Sequence, residues 1–149
     1  MKIKGFTLIE LLAALAVAVI LATVAVPSFQ ELMARNRLAA DFNHVLSGLN
    51  YARSEAVKRR DDITVNISGA WQVQVTHIVG GVVTTMKTLS SDDGSVAISA
   101  ATPDPFSITF NELGRANCPV GTPCSVTLQY QGGDSETLQV NAAGMVSRP

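Results

Sequence analysis

From Phe6 to Phe29 the chain is apolar at almost every position, and a single carboxylate, Glu10, stands inside the run. As an α-helix, 24 residues reach about 36 Å at about 1.5 Å per residue. A bilayer core is about 30 Å thick, so the segment is long enough to cross it. Nothing else in the 149 residues constrains the fold as strongly, because whatever follows must hang from one N-terminal anchor. Lys2 and Lys4 precede the run. Basic residues flanking a span stay on the cytoplasmic side, so the rest of the chain is expected on the periplasm-like side.

Glu10 needs a reason. A carboxylate at the centre of a span costs about 2.5–3.5 kcal/mol on insertion scales, and less near an end, so an acid there reads first as functional. A cut after Gly5 would supply a partner, since the new amine on Phe6 lies one helical turn from Glu10. Two plainer readings compete. A secretory signal peptide has a basic start, an apolar middle and small residues such as Ala22-Thr-Val-Ala25 for cleavage, but it leaves Glu10 badly placed and Gly5 without a role. An uncut anchor leaves Glu10 equally unexplained.

Gly5-Phe6-Thr7-Leu8-Ile9-Glu10 resembles the processing site of type IV prepilins and pseudopilins. The resemblance implies that a membrane prepilin peptidase cuts after Gly5 and that Phe6 becomes the methylated N-terminal residue. It makes Glu10 the acid that contacts a neighbouring subunit's N-terminus during assembly. Pro27 lies in the last turn of the anchor, where a proline removes one backbone hydrogen bond and kinks or locally melts a helix.

Beyond the anchor, Leu38, Phe42, Val45, Leu46, Leu49, Ala52, Ala56 and Val57 recur at steps of three and four, which is one face of a helix. Arg35, Arg37, Asp41, Arg53, Glu55 and Lys58 fall mostly off that face, and Gly48 weakens the helix slightly. One helix is therefore expected from about Phe6 to Arg59, membrane-bound over 6–29 and amphipathic over 30–60. After Asp61-Asp62 the texture changes to short β-branched runs. Strands are expected at Ile63–Ile67, Trp71–Val79, Val82–Leu89, Val96–Ser99, Phe106–Phe110, Ser125–Gln131 and Glu136–Val140. Turns are expected at Ser68-Gly69, Gly80-Gly81 and Gly132-Gly133-Asp134, with a proline-containing loop over Ala100–Pro105.

The expected fold class is α+β, with a long N-terminal helix packed on an antiparallel β domain over 61–149, the pilin layout. Leu49-Asn-Tyr51-Ala-Arg53-Ser-Glu55-Ala-Val-Lys58-Arg59, running into a strand, resembles the GspH/FimT group of minor pilins and pseudopilins. The Phe110-Asn-Glu-Leu-Gly114-Arg115 turn and the Asn141-Ala-Ala-Gly144 segment resemble its later landmarks.

Cys118 and Cys124 are separated by five residues that include Pro119, Gly121 and Pro123, which favour a tight loop. Export permits a disulfide, whereas a zinc site needs further ligands that no nearby histidine offers. Such a bridge closes a short ring, so it is expected to stiffen an exposed loop more than to support the core.

Net charge is −1, and removing Met1–Gly5 leaves 9 basic against 12 acidic side chains, or −3. That balance argues against a general polyanion binder. Some members of the FimT branch bind DNA through a basic C-terminal stretch, Gly-Arg-x-Arg. Here the matching stretch is Gly144-Met145-Val146-Ser147-Arg148, with Met145 and Ser147 where arginines would stand. Arg115, Arg148 and the Lys58-Arg59-Arg60 cluster remain as candidate DNA contacts, although cations near a helix C-terminus are also favoured by the helix dipole. His44 and His77 have no sequence neighbours resembling a catalytic set, and Asp61-Asp62 and Asp92-Asp93 read as solvated turns. No motif calls for a cofactor or a metal, and the chain is not expected to be an enzyme.

The resemblance implies a minor pilin or pseudopilin held in the inner membrane by one span, with its N-terminus cytoplasmic and its β domain periplasmic, and then moved into a pilus or pseudopilus. Its implied partners are other pilin subunits through the helix, the prepilin peptidase and the inner-membrane assembly platform. A role in assembly or priming near the fibre tip is expected; DNA uptake and type II protein secretion are the alternatives.

Overall fold

The computed structural model describes residues 6–68, 71–91, 96–100, 106–118, 124–130 and 133–149, with the backbone alone at Ser99 and Ala100. Lys2, Lys4, Gly5, Gly69, the Asp92-Asp93 pair, residues 101–105, Pro119, Gly121, Pro123 and Gly132 lie outside the described residues. Helix α1 runs from Leu8 to Arg59, 52 residues. Thr7 starts it: its Oγ1 accepts the Glu10 N–H at 3.3 Å and its carbonyl accepts the Leu11 N–H at 3.2 Å. Thr-x-x-Glu is the sequence form of a capping box, and the hydroxyl half of it is the bond that Thr7 makes. The helix continues through Pro27. At its far end Arg60 adopts φ 54°, and the Asp61 N–H returns to the Ala56 carbonyl at 3.3 Å, which ends the helix with a left-handed cap.

The chain forms two compact units, Met1–Arg35 and Asn36–Pro149. In the first, every described residue from Phe6 to Met33 is exposed. The second joins the last part of α1 to nine strands among the described residues: β1 (Ile63–Ser68), β2 (Gln72–Val79), β3 (Val82–Ser90), β4 (Val96–Ala100), β5 (Phe106–Phe110), β6 (Ala116–Asn117), β7 (Cys124–Tyr130), β8 (Ser135–Val140) and β9 (Val146–Ser147). They make two antiparallel sheets, ordered β3-β2-β1-β5-β6 and β4-β7-β8-β9. Strand β1 is central to the first: Val65 pairs with Val75 on one side and Ile108 on the other.

Alternation decides which face each strand buries. Ile63, Val65, Ile67, Val73, Val75, Phe106, Ile108 and Phe110 of the first sheet are buried, as are Val126, Leu128, Leu138 and Val140 of the second. They share one cluster with Leu38, Phe42, Val45, Leu49, Ala52 and Ala56 of α1. Fully burying each large apolar side chain contributes about 1.5–3 kcal/mol, so this stripe fixes the helix on the sheets. Gly48 has a packing role: a Cβ there would meet Leu89 Cδ1 at 3.0 Å and Val73 Cγ1 at 3.4 Å.

Several details depart from the sequence expectation. Strands β6 and β9 were not expected, because two-residue strands show no alternation. Asp41 and Glu55 are buried rather than solvent-facing. Cys118 and Cys124 form a disulfide, with Cα atoms 6.1 Å apart. Both are buried, one just after β6 in the first sheet and the other opening β7 in the second, so the bridge also joins the two sheets within the core.

Candidate assembly surface

The apolar segment is the largest feature that the chain leaves uncovered. Phe6, Leu8 and Val24 are more than two-thirds exposed, and Ala34 is the first buried residue among those described. Soluble monomers do not leave such a surface in water, so lipid or other helices must cover it. Glu10 is exposed within it, its backbone tied to Thr7. Thr23 Oγ1 donates to the Ile20 carbonyl at 2.7 Å and Ser28 Oγ to the Val24 carbonyl at 3.3 Å, so the hydroxyls of the span spend their polarity on the helix itself.

The basic candidates do not form one patch. Lys58 Nζ lies 3.1 Å from Glu55 Oε1, and Arg59 Nε lies 2.7 Å from Glu55 Oε2. The hydrogen bond from Arg59, then that from Lys58, holds the Glu55 carboxyl below its usual range. Arg148 Nη2 lies 3.3 Å from Glu136, and its guanidinium stands 4.3 Å from the centre of the Phe42 ring. Phe42 and Lys58 are about 24 Å apart along α1 at about 1.5 Å per residue. Arg115 ends a turn that approaches Arg53 and Val57, whereas Arg60 supplies the helix cap.

His77 has a partner that sequence reading did not find. Its Nε2 lies 2.8 Å from Asp61 Oδ2, because the β1–β2 register sets His77 opposite Ile63. That contact, and next the Asp62 N–H, pulls the Asp61 carboxyl below its usual range. The couple ties the end of α1 to β2. Among the described residues, no three His, Cys, Asp or Glu side chains gather as a metal site.

Arg53 was also missed. Its Nε donates to the Gly114 carbonyl at 3.2 Å and its Nη2 to the Ala143 carbonyl at 3.3 Å. These carbonyls belong to two turns built alike. In one, Asn111 Oδ1 accepts from Leu113 N–H (3.0 Å) and Arg115 N–H (2.9 Å), and Gly114 has φ 72°. In the other, Asn141 Oδ1 accepts from Met145 N–H at 3.0 Å, and Gly144 has φ 74°. One turn joins β5 to β6 in the first sheet and the other joins β8 to β9 in the second, so a single guanidinium clamps both sheets to the helix. The signal lay in the sequence as Asn111-Glu-Leu-Gly114 and Asn141-Ala-Ala-Gly144, 30 residues apart, although Asn66-Ile-Ser-Gly69 shares their spacing.

Residues 41–144 match the family model for the type II transport protein GspH, and residues 1–26 match the prokaryotic N-terminal methylation motif. The chain belongs to the GspH family. A fimbrial protein of Pseudomonas aeruginosa is 30% identical over 136 residues, covering 78% of this chain and 85% of the relative. Two solved structures share the fold. The type IV minor pilin FimU of Pseudomonas aeruginosa superposes with a TM-score of 0.60 at 20% identity, covering 77% of this chain and 90% of FimU. The minor pseudopilin EpsH of the Vibrio cholerae type 2 secretion system gives 0.53 at 11% identity, covering 80% and 94%. The GspH-family chain is thus a pilin-like protein of a structural family. The pilin-like fold expected from sequence is the fold observed.

Proposed function

We propose that this GspH-family chain is a minor subunit of a type IV pilus or secretion pseudopilus, cut after Gly5, methylated on Phe6, and placed near the fibre tip, where it primes assembly. The observation that carries the proposal is the uncovered apolar helix from Phe6 to Met33 with one acid, Glu10, near its start. Packed helices would cover that surface. Glu10 would pair with a subunit's N-terminal amine there, since an acid left unpaired in an apolar bundle is strongly destabilising. The β domain would face the periplasm, and the platform and peptidase would act on the anchor. The mechanism is packing and subunit recognition, with no chemical step after processing.

Glu10→Ala tests it. Export and leader cleavage should stay intact, whereas incorporation into sheared fibres should fall. Wild-type levels of the variant in the fibre fraction would refute the role given to Glu10. DNA uptake is the competing reading. The pairing of Lys58 and Arg59 with Glu55, and of Arg148 with Glu136, leaves less positive charge available for phosphate than the sequence suggested.

A further inference from the structure

The first sheet turns one face to the core and the other outward. Ile63, Val65 and Ile67 are buried in the core cluster, so alternation sends Thr64, Asn66 and Ser68 of β1 to the outward face. Register sets Gln74 and Gln72 of β2 beside Asn66 and Ser68, and Thr109 and Ser107 of β5 beside Thr64 and Asn66. Strands β1, β2, β5 and β6 contain no Asp, Glu, Lys or Arg. Lys87 of β3 pairs with the buried Val75 and lies 5.3 Å from the Tyr51 ring centre, on the inner side. A solvated sheet face needs polarity, but protein surfaces ordinarily carry about 25–35% charged residues. Asparagine is also depleted in strands, yet Asn66 and Asn117 both occupy them.

This uncharged face is hollowed. Among the described residues, Asn66, Ser68, Gln72 and Gln74 line a cavity of about 350 Å³, and Ser107, Thr109, Asn117 and Cys118 line one of about 190 Å³. Asn66 and Ser107 are register partners, so the two hollows adjoin. From β2 across β1 and β5 to β6 they span about 14 Å. The amides are only half used. Gln74 Nε2 donates to Gln72 Oε1 at 3.0 Å and Asn66 Nδ2 to Thr76 Oγ1 at 3.3 Å, which leaves Gln74 Oε1, Gln72 Nε2 and Asn66 Oδ1 for a ligand. One rim is held firmly. The Trp71 N–H donates to the Ser68 carbonyl at 3.1 Å, Trp71 stands at φ 55°, and its side chain is buried. A bulky residue rarely accepts that backbone, and such strain gathers at binding sites. Here it fixes Ser68 and Gln72, which flank the turn.

We infer that the outward face of this sheet binds an uncharged polysaccharide, with Asn66, Gln74 and Ser107 at the centre of the site. A sugar hydroxyl both donates and accepts a hydrogen bond, and side-chain amides and hydroxyls answer in both senses. A polyanion needs Lys or Arg at its phosphates, and these four strands supply none. A protein partner is anchored by aromatic, Met or Arg side chains, and the described lining has none. An apolar small molecule needs an apolar lining, whereas this one is amide and hydroxyl. The chemistry that remains is a neutral chain of hydroxyls laid across the strands. With no ring in the described lining to stack on a sugar, each unit adds little, so binding is weak and strengthens with chain length.

The test uses the full chain, isotope-labelled for amide NMR, in a detergent whose head group is not a sugar. Cellopentaose, maltopentaose and chitopentaose are titrated to about 10 mM, a range that covers millimolar affinity. At least one should shift the amides of Asn66, Gln74 and Ser107, equally at low and high salt. Q74V/S107V should weaken that binding about tenfold, the effect of losing about two neutral hydrogen bonds. Valine suits strands, and unchanged Trp71 emission would confirm that the variant is folded. Q72A, at an exposed position, should weaken binding severalfold and keeps the test decisive if the pair unfolds. T127V/T137V alters an outward threonine pair of the second sheet, bonded at 3.0 Å, and should bind as wild type does. No shift with any of these sugars would overturn the inference. So would shifts centred on Thr127, or equal affinity of wild type and either Q72A or folded Q74V/S107V. Shifts of the same amides by a DNA oligonucleotide, lost as salt rises, would put a polyanion in place of the polysaccharide.

Discussion

Among the described turn glycines of the β domain, Gly144→Ala should be the most damaging single-methyl addition. At φ 74° an alanine pays the left-handed penalty, about 1–2 kcal/mol. The new Cβ would also fall onto the carbonyl oxygen of Gly114. That oxygen is backbone, and it is held by Arg53 Nε at 3.2 Å, so it cannot retreat without breaking the clamp. Forced overpacking of this kind costs about 1–3 kcal/mol, so the total is about 2–5 kcal/mol. Two controls separate the terms. Gly80 has φ 58° and nothing within 4 Å of a built Cβ, so Gly80→Ala carries the backbone penalty alone. Gly114 has φ 72°, and its Cβ would meet Val57 Cγ2 at 3.1 Å and Arg53 Nε at 3.2 Å, side-chain atoms able to shift by tenths of an ångström. The expected order of destabilisation is Gly144, then Gly114, then Gly80. A urea titration of the full chain in detergent, followed by the fluorescence of Trp71, measures it. Trp71 is the chain's one tryptophan, it is buried, and it lies in the Asn36–Pro149 unit, so it reports that unit and not the anchor. If Gly144→Ala proves no more destabilising than Gly80→Ala, the approach of the two turns is not the constraint described.

Three other perturbations follow from the same structure. Arg53→Met keeps the aliphatic stem but removes both carbonyl bonds, and the same titration should show a loss of about 1–3 kcal/mol; Arg53→Lys should rescue little, because one ammonium does not span two carbonyls as the planar fork does. The Glu55 carboxyl is depressed by Arg59 and Lys58, so its ion pairs stabilise the fold fully above the unfolded-state value of about 4.3 and lose that contribution as pH falls through the lower folded value. Glu55→Gln should therefore flatten the acid limb of a stability–pH curve, leaving a residue from Asp61, which is depressed by His77 and acts in the same direction. Replacing Cys118 and Cys124 with alanine should cost about 2 kcal/mol on the chain-entropy account of so short a loop; a Trp71 transition that did not move would return the bridge to the role of a loop stiffener.

The parts of the fold legible in sequence were those with a long repeat. Fifty-two residues of helix offer many turns over which an apolar stripe can be recognised, and Phe106–Phe110 alternates cleanly enough that its bounds were read correctly. The clamp was not legible in the same way. Arg53 looked like a surface cation because its partners lie 61 and 90 residues away, and no local pattern announces them. Asp41 and Glu55 were placed on the solvent side because periodicity sorts residues by the helix's own face and cannot know how widely two sheets will wrap it. The disulfide pairing was readable from the short spacing, but its place between the sheets depended on a topology that the sequence did not reveal.

Helix α1 obeys opposite rules along its length, and the change has a mechanical consequence. Up to Met33 its apolar surface is uncovered, and beyond Ala34 the stripe is buried. In the buried part, contacts fix the helix at three heights: Gly48 against Leu89 and Val73, Arg53 against both turns, and Asp61, just past its end, against His77. A slip of one residue would move the helix about 1.5 Å and turn it about 100°. It would carry the Arg53 fork away from both carbonyls and set Ser47 or Leu49, according to its direction, in a gap where even a Cβ meets Leu89 at 3.0 Å. Apolar packing alone tolerates small sliding, because dispersion contacts are many, weak and non-directional. The hydrogen-bonded clamp does not. A load applied to this part of the helix is therefore passed to the β domain without slip.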